Sequence, residues 1–403
     1  MKPIVRAGRM KPVHSDIRGP LFVEAMKRQK QGIDILKLNT GNPATFGFGL
    51  PDSIKNALME HMQDGVGYCD FKGMPQARQA ICDYETSKGI KGITPDDVFI
   101  GNGVSEVVSF ALTPLLNDGD EVLVPSPSYS LWGNSVYLED GKPVFYTCDE
   151  QANWYPDIQD IRSKITDKTK AIVIINPNNP TGVLYPKEIL LEIIQVAREF
   201  GLLIFADEIY DRLVMDGKQH ISLASLTEDV PVITLNGLSK SHCLCGYRCG
   251  WMVISGPREL TEDYRQGIIQ LTSLRLCANT MAQIVIPAAL DDMDTPASMV
   301  RPGGRIYEQR EATVRELEKI DGLSFVKNDA AFYVFPKLDV KKFNITNDKQ
   351  FAHDLLDATN ILLVPGSGFD WKDPDHFRIV MLPQADVLSD AIRRMGTFLD
   401  GYK

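Results

Sequence analysis

The stretch Gly237–Trp251, which reads GLSKSHCLCGYRCGW, places a lysine shortly after a predicted strand. The preceding run at Pro231–Leu235 (PVITL) is typical of a buried strand, and a short polar turn separates it from Lys240. Ligands of α/β proteins bind where strands end, so Lys240 lies where a ligand would meet the chain. Arg248 follows with a guanidinium group suited to phosphate. Together these two cations suit a phosphorylated aldehyde, which a lysine amine can hold covalently.

Strand and helix patterns alternate from Val98 to Ile254 and predict a mostly parallel sheet with helices on both faces. The run AIVII at Ala171–Ile175 is typical of a strand that is buried on both faces. Apolar residues at helical spacing follow in Pro186–Phe200. A helix is also predicted at Val107–Leu116. Beyond Pro257 the pattern is mainly helical with short strands, one of them at Ala331–Phe335 (AFYVF), which indicates a smaller α+β region.

Composition excludes several classes of protein. The chain has 403 residues, 44% of them hydrophobic and 24% charged, which is typical of a globular protein of about two or three domains. The net charge of −10 and the lack of a basic run argue against nucleic acid as a partner. Because no long apolar window or signal peptide is evident, we expect no membrane association and a cytoplasmic location.

The seven cysteines form an odd, scattered set, which predicts reduced thiols. Three of them, Cys243, Cys245 and Cys249, lie close to Lys240. Their spacing does not match the usual zinc motifs, and no suitable second pair of ligands follows. We therefore expect no metal site, and buried thiols that pack around the segment of the lysine.

Four predicted strand ends carry four different polar groups. The turn at Gly101–Glu106 (GNGVSE) opens a helix and suits phosphate, although it matches no nucleotide-binding fingerprint. The other three groups are the amide of Asn179, the carboxylate of Asp207 and the amine of Lys240. Because the carboxyl ends of parallel strands meet at one edge of a sheet, we expect these groups to converge.

On the basis of these motifs, the chain resembles the class I and II pyridoxal-phosphate-dependent aminotransferases of fold type I. The resemblance rests on NPNNPTG from Asn176, FADEIYD from Phe205 and GLSKSHCLCGYRCGW from Gly237, whose order and spacing extend it over nearly the whole chain. Within the family, DIRGP, LNTGNP, GYCDFKG, GNGVSE and HFRIVMLP resemble the bacterial alanine (glutamate–pyruvate) aminotransferases. This implies ping-pong transfer between L-alanine and 2-oxoglutarate.

The resemblance also implies an architecture. It predicts a large cofactor-binding domain at 46–295 with a mostly parallel, seven-stranded sheet flanked by helices. The chain termini would form a smaller α+β domain, with an N-terminal arm and part of that domain at 1–45 and the remainder at 296–403. The enzyme would be a homodimer with shared active sites, in which Tyr68 reaches the phosphate bound by the neighbouring subunit.

Roles for the strand-end residues follow from the same resemblance. Lys240 would hold pyridoxal 5′-phosphate covalently and then move the proton of the substrate Cα. Asp207 would pair with the ring nitrogen, while Tyr210 and Asn179 would hydrogen-bond the ring hydroxyl. The ring would stack on Tyr129.

The remaining predicted contacts concern the phosphate and the substrate. The phosphate would be held by Ser239, Arg248 and the backbone of Val104 and Ser105. The substrate α-carboxylate would bind to Arg378, with Gly41 and Asn179 close by. Arg18 would meet the second carboxylate of glutamate when the arm covers the site. Relatives often carry an aromatic residue where this chain has Ser15, which puts that role of the arm in question.

Other functions stay open on the sequence alone. Aromatic or branched-chain amino acids could replace alanine as donors. The same cofactor chemistry also permits a lyase or decarboxylase, which would release ammonia or carbon dioxide in place of a keto acid. A non-catalytic regulator built on this fold is a third class. It would need an added DNA-binding module, for which we find no sign, and the acidic charge argues against it.

Overall fold

The structure is a computed structural model that describes residues 2–402 of the chain. Its helices are α1 (Pro20–Lys30), α2 (Asp52–His61), α3 (Pro75–Ser87), α4 (Val104–Leu112), α5 (Leu131–Leu138), α6 (Ile158–Lys164), α7 (Lys187–Phe200), α8 (Leu238–Ser241), α9 (Arg258–Arg275), α10 (Thr280–Ile284), α11 (Ile286–Asp291), α12 (Asp294–Val300), α13 (Arg305–Leu317), α14 (Asp348–Thr359) and α15 (Ala385–Gly401). Its strands are β1 (Leu36–Lys37), β2 (Val98–Asn102), β3 (Glu121–Ser126), β4 (Lys142–Asp149), β5 (Tyr155–Pro156), β6 (Thr169–Ile175), β7 (Leu203–Asp207), β8 (Val232–Gly237), β9 (Cys249–Ser255), β10 (Leu323–Ser324), β11 (Tyr333–Val334), β12 (Lys337–Leu338), β13 (Ile361–Leu362), β14 (Val364–Pro365) and β15 (Phe377–Val380).

The central sheet has the strand order β2-β9-β8-β7-β6-β3-β4-β5. Strands β8, β7, β6, β3 and β4 are parallel neighbours, whereas β9 runs antiparallel to both β8 and β2. The prediction of a mostly parallel sheet flanked by helices is confirmed. The seven expected strands are joined by an eighth, the two-residue β5, which pairs antiparallel with the edge strand β4.

Burial on both faces explains the apolar composition of the inner strands. In β6, Ile172 and Ile174 enter one hydrophobic cluster, and Val173 and Ile175 enter another on the opposite face. Successive side chains of a strand point to opposite faces, so a continuous apolar run satisfies two cores at once. A third cluster joins Leu38 near the N-terminus to the helices and short strands of the C-terminal part.

Local structure differs from the sequence-based expectation at three places. The helix expected at Val107–Leu116 is α4, which begins earlier and directly follows Gly103, a residue with φ +83°. The strand expected at Ala331–Phe335 is reduced to β11, because tertiary pairing with β15 extends over only two residues. Lys240 lies in the one-turn helix α8 rather than beyond a polar turn.

No single helix within residues 2–402 is both long and apolar enough to cross a membrane. By length and composition alone, α9 passes that test together with α10 and α11, and the two parts meet at a bend of 119°.

Residues 2–19, called the N-terminal arm below, dock on the rest of the chain through His14. Its Nε2 lies 3.1 Å from Asp370 Oδ1, and its Nδ1 lies 3.4 Å from Asp16 Oδ2. The His14 backbone N–H also donates to Asn134 Oδ1 at 3.1 Å. Hydrogen bonds to Asp16 and then Asp370 raise the pKa of His14 from 6.5 to about 9. Lys349 adds a further ion pair to Asp16, at 3.2 Å.

We therefore expect the arm to release at alkaline pH. A raised histidine pKa contributes stability that is fully present below 6.5 and is lost as the pH rises through about 9. Trypsin cleavage after Arg18, normalised to cleavage of a free peptide of the same sequence, should accelerate across that window. The Arg9→Ala variant is the control, because it removes only an exposed ion pair with Asp140. A normalised rate that is independent of pH would contradict this expectation.

A buried ion cluster supports the segment that follows β7. The Lys88 ammonium lies 2.8 Å from Glu85, 2.7 Å from Glu208 and 3.1 Å from Asp211. These carboxylates are buried, and burial raises the pKa of Glu85 whereas Lys88 helps to lower that of Asp211. Glu208, Asp211 and His220 have the mutual spacing of metal ligands, but the ammonium already supplies a cation there.

Replacing Lys88 by methionine should leave a buried, uncompensated group of carboxylates. Removing one partner of a buried ion pair costs about 3–5 kcal/mol, so we expect a large fall in the free energy of unfolding near neutral pH. The deficit should shrink when the pH is lowered from about 8 to about 5, because the Glu85 carboxyl, whose pKa is raised by burial, then takes up a proton. Denaturant unfolding at both pH values measures the effect.

Lys91→Met is the matched control for that experiment. Lys91 pairs with Glu228 at the surface, where an ion pair contributes about 0–1 kcal/mol. Equal losses of stability in the two variants would contradict the assigned role of Lys88.

Candidate active site

The carboxyl ends of β2, β6, β7 and β8 lie at one edge of the central sheet. Parallel pairing places Ile175 beside Asp207 and Asp207 beside Leu235. Through β9, Gly250 is paired with Gly237 on one side and with Gly101 on the other. The segments that leave these ends carry the four predicted polar groups, so the topology brings them to one edge.

Lys240 has a backbone partner and no acidic one. Its Nζ donates to the Gly41 carbonyl at 3.0 Å and lies 5.8 Å from the centre of the Phe332 ring. No carboxylate within residues 2–402 forms an ion pair with it. The hydrogen bond to Gly41 therefore fixes the direction of the amine, and no acidic partner in the described residues offsets its charge.

Asp207 is the last residue of β7, and its carboxylate is buried. Trp132 Nε1 donates to Oδ2 at 3.1 Å, and the Ile209 backbone N–H donates to Oδ1 at 3.3 Å. Burial raises the pKa of Asp207 from 3.8 to about 6, against the opposing effect of the Trp132 hydrogen bond. No basic side chain in the described residues forms an ion pair with it, so this acid would gain from a cationic ligand.

A cradle for an anion lies between Gly103 and Arg248. A Cβ on Gly103 would stand 2.1 Å from an Arg248 NH2, and one on Gly250 would stand 2.4 Å from the Val104 nitrogen. Glycine at both positions lets the guanidinium and the first turn of α4 approach each other. Arg248 donates to the Cys245 carbonyl at 3.0 Å and forms no ion pair within the described residues. Ser105 is exposed in the same first turn, and Ser239 is half-buried in α8.

Arg378 is fully buried in β15, between two aromatic rings. Its Cζ lies 4.6 Å from the centres of the Tyr333 and Phe369 rings. Its Nη1 donates a hydrogen bond to Asn179 Oδ1 at 2.8 Å, and its Nη2 donates to the Asn39 carbonyl. The buried Nε has no partner, and burial lowers the pKa of this guanidinium. The group is fixed by neutral acceptors and keeps N–H donors for a carboxylate.

Tyr210 is tied to this arginine through Tyr333. The two hydroxyls are 2.8 Å apart, and burial raises the pKa of Tyr210 well above 10. Gly41 fits closely against the same residue, since a Cβ there would stand 2.4 Å from the Tyr333 hydroxyl. Tyr333 thus joins Tyr210, Arg378 and Gly41 into one contact group.

Three functional candidates stand apart from this group in the single chain. The side chain of Tyr68 is 84% exposed, and no hydrogen bond joins it to the other candidates in the described residues. Arg18 is exposed at the end of a 3-10 turn and makes no ion pair within residues 2–402. Tyr129 is 36% exposed, and no side-chain hydrogen bond in the described residues joins it to the other candidates. Ser15, which precedes this turn, is exposed.

Sequence reasoning missed Trp132, Tyr333 and Asn39. Trp132 lies three residues after Tyr129, in the first turn of α5 beyond β3, a position that could have indicated a role at the same edge. Tyr333 and Asn39 offered no such signal. Pairing of Tyr333 with Val380 and of β1 with β13 brings them beside Arg378.

The three cysteines near Lys240 differ in environment. Cys249 is buried, whereas Cys243 and Cys245 are only partly buried. Cys243 lies 3.9 Å from the Lys240 carbonyl, and the Cys245 thiol donates to Asn42 Oδ1 at 3.1 Å. They pack around the lysine segment as expected, but only one of them is buried.

Comparison with known proteins agrees with this geometry. Residues 33–394 match the family model described as aminotransferase class I and II. The chain is 49% identical to the glutamate-pyruvate aminotransferase AlaA of Haemophilus influenzae, with both sequences covered completely. The crystal structure of an aminotransferase from Escherichia coli superposes with a TM-score of 0.98 at 47% identity, covering 100% of this chain and 99% of the other.

The alanine aminotransferase of Pyrococcus furiosus also superposes closely, with a TM-score of 0.93 at 40% identity over 98% of this chain and 100% of the other. The match therefore extends over the complete architecture as well as the motifs. By its sequence, its sheet topology and the groups gathered at the edge of that sheet, the chain belongs to the aminotransferase class I and II family.

Proposed function

We propose that this aminotransferase uses pyridoxal 5′-phosphate to exchange an amino group between L-alanine and 2-oxoglutarate by a ping-pong mechanism. The observation that carries the proposal is the convergence of Lys240, Asp207 and Arg378, none of which has an ionic partner within residues 2–402. The names of relatives at 45–49% identity, which are glutamate-pyruvate and alanine aminotransferases, support the choice of substrates.

The site fits the cofactor at both ends. Asp207 is buried without a cation, so a protonated ring nitrogen would offset the cost of burying its charge. At the other end, Arg248 lies against the N-terminus of the nine-residue α4, a close approach that a Cβ on Gly103 would block. Backbone N–H groups and a guanidinium without an acidic partner are the donors that a phosphate dianion prefers. We also propose that Ser239 and Ser105 contribute hydroxyl donors there.

Pyridoxal 5′-phosphate, when bound, supplies an aldehyde that takes up the amino group reversibly and a ring that withdraws electrons. The chain supplies the remaining functions. Lys240 Nζ, directed by its bond to the Gly41 carbonyl, would attach to the cofactor and then move the proton of the amino acid Cα. Tyr210 and the Nδ2 group of Asn179 would donate hydrogen bonds to the ring hydroxyl, while Tyr129 covers the ring face.

Arg378 would bind the α-carboxylate that alanine, glutamate and their keto acids share. Its fixed position and its N–H donors without partners would orient each substrate in the same way for both half-reactions. Arg18 would contact the second carboxylate of the five-carbon substrates. Water exclusion by the Tyr333 and Phe369 rings would strengthen the carboxylate–guanidinium pair.

Two further features belong to the proposal. We propose a homodimer in which Tyr68 completes the phosphate site of the partner, since an aromatic side chain that is 84% exposed suits a contact between subunits. We also propose the division into a segment at 1–45 that holds the N-terminal arm and part of the small domain, a large domain at 46–295, and the remainder of the small domain at 296–403. Support for it comes from the separate hydrophobic cluster that joins Leu38 to the C-terminal elements.

The substrate assignment predicts a defined product pattern. Purified holoenzyme should convert alanine with 2-oxoglutarate to pyruvate and glutamate, with parallel lines in double-reciprocal plots. Aromatic and branched-chain donors should react more slowly under the same conditions. Faster reaction with those donors would refute the substrate assignment, and release of ammonia or carbon dioxide without a keto acid would refute aminotransfer.

Lys240→Ala should remove covalent attachment of the cofactor and catalysis together. We expect loss of the near-visible absorbance of the holoenzyme and a fall in kcat of at least about 10²–10⁴, the usual contribution of a positioned acid–base group. Lys187→Ala is the control, since Lys187 is an exposed residue at the start of α7. Retained absorbance in the Lys240 variant would place the attachment elsewhere.

Gly103→Ala tests the anion cradle. The added Cβ would stand 2.1 Å from Arg248, at a residue whose φ of +83° already disfavours a side chain. We expect weaker binding of the phosphorylated cofactor, by roughly ten- to a hundredfold, because a charge-assisted hydrogen bond is displaced. Equilibrium dialysis measures the affinity for pyridoxal 5′-phosphate and for unphosphorylated pyridoxal. The comparison separates loss of the phosphate contact from a general distortion of the site. Equal losses for both ligands would show that the cradle does not hold phosphate.

A further inference from the structure

The segment Leu38–Asn42, with the sequence LNTGN, touches two parts of the site through neighbouring backbone groups. The Leu38 carbonyl accepts from the Val380 N–H at 3.1 Å, in the strand that carries the carboxylate-binding arginine. The Gly41 carbonyl accepts from Lys240 Nζ at 3.0 Å. Displacement of this segment would therefore move the acceptors of both cationic centres.

Asn39 makes the central contacts of the segment. Its backbone carbonyl accepts from Arg378 NH2, and its side-chain Nδ2 donates to the Ile17 carbonyl at 2.9 Å. Asn39 is 1% exposed, and its Oδ1 has no hydrogen-bond partner. The side chain thus makes one hydrogen bond, to the residue that directly precedes Arg18 in the N-terminal arm.

We propose that Asn39 is a positioning residue that couples docking of the N-terminal arm to the carboxylate-binding geometry of Arg378. The inference rests on the proposed function, because it takes Arg378 as the group that receives the substrate carboxylate. The geometry that carries it is the sharing of one buried residue between the arm and the guanidinium. Undocking of the arm would free the side chain of Asn39, and the carbonyl acceptor of Arg378 would lose its fixed position.

Coupling of this kind is reciprocal. If a docked arm strengthens carboxylate binding, then a bound carboxylate must stabilise the docked arm by the same factor. 2-Oxoglutarate added to the pyridoxal form of the holoenzyme provides a probe without turnover, because no amino group is available for transfer. Trypsin cleavage after Arg18 reports the undocked arm.

The deciding variant is Asn39→Leu, which keeps the branched shape of the side chain and removes its amide group, whose N–H donor makes its one hydrogen bond in the described residues. We expect the Kd of 2-oxoglutarate and the KM of both alanine and 2-oxoglutarate to rise roughly three- to tenfold, the worth of one hydrogen bond. The kcat should change little, because the main-chain acceptor and Lys240 remain. 2-Oxoglutarate should slow arm cleavage in the wild type and no longer do so in the variant.

Asn117→Leu is the matched control, since Asn117 is exposed and bonded only to nearby Asp120. It should leave KM and the protection of the arm unchanged. Unchanged KM values in Asn39→Leu, or protection of the arm equal to that of the wild type, would overturn the inference. Absence of ligand protection in the wild type would overturn it as well.

His14→Ala keeps the test decisive should Asn39→Leu fail to fold. The substitution removes the contact between the arm and Asp370, at a half-exposed residue. It should therefore raise the Kd of 2-oxoglutarate while Asn39 is intact. Where Asn39→Leu does fold, adding His14→Ala to it should change the Kd little further, because both changes break the same coupling. Additive effects, or an unchanged Kd in His14→Ala alone, would refute the inference. Failure of alanine–2-oxoglutarate turnover would refute only the proposed function, since ligand protection is read without turnover.

Discussion

Burial of the Asp207 carboxylate at the end of β7 is the constraint on which the site depends. A carboxylate this deep is costly, and its pKa rises to about 6 despite hydrogen bonds from Trp132 and Ile209. The neighbouring acids of the same segment, Glu208 and Asp211, turn the other way and are neutralised by Lys88. Within this short stretch, the carboxylates of Glu208 and Asp211 are therefore paired with a cation, whereas the carboxylate of Asp207 has no cationic partner in the described residues.

The cationic groups are likewise hydrogen-bonded but lack a partner of opposite charge in the described residues. Lys240 and Arg378 are directed by neutral carbonyl and amide oxygens, which fix their geometry while leaving the charge free for a ligand. An acidic partner would have held them as firmly but would have competed with the substrate carboxylate or phosphate. Glycine at 103 and 250 serves the same end by letting backbone and guanidinium approach closely.

The arm and the LNTGN segment connect the chain terminus to this edge. His14 fixes the arm against Asp370, and Ile17 continues that contact to Asn39 and so to Arg378. Docking of the arm and the position of Arg378 thus share hydrogen bonds through Asn39. In the proposed mechanism this gives the arm a physical route to influence carboxylate affinity, even though Arg18 itself is exposed and has no ionic partner in the described chain.

By itself the sequence determined the α/β architecture and the polar groups at the strand ends, because buried strands need unbroken apolar runs and strand-end motifs interrupt those runs visibly. Lys240, Asp207 and Asn179 were predicted in this way, whereas Arg378 was predicted from the resemblance to the family. Only the tertiary structure determined which residues form the hydrogen bonds and ion pairs around these side chains. Trp132, Tyr333, Asn39 and Lys88 act through contacts between residues far apart in sequence, and no local pattern encodes which buried donor will face which acceptor.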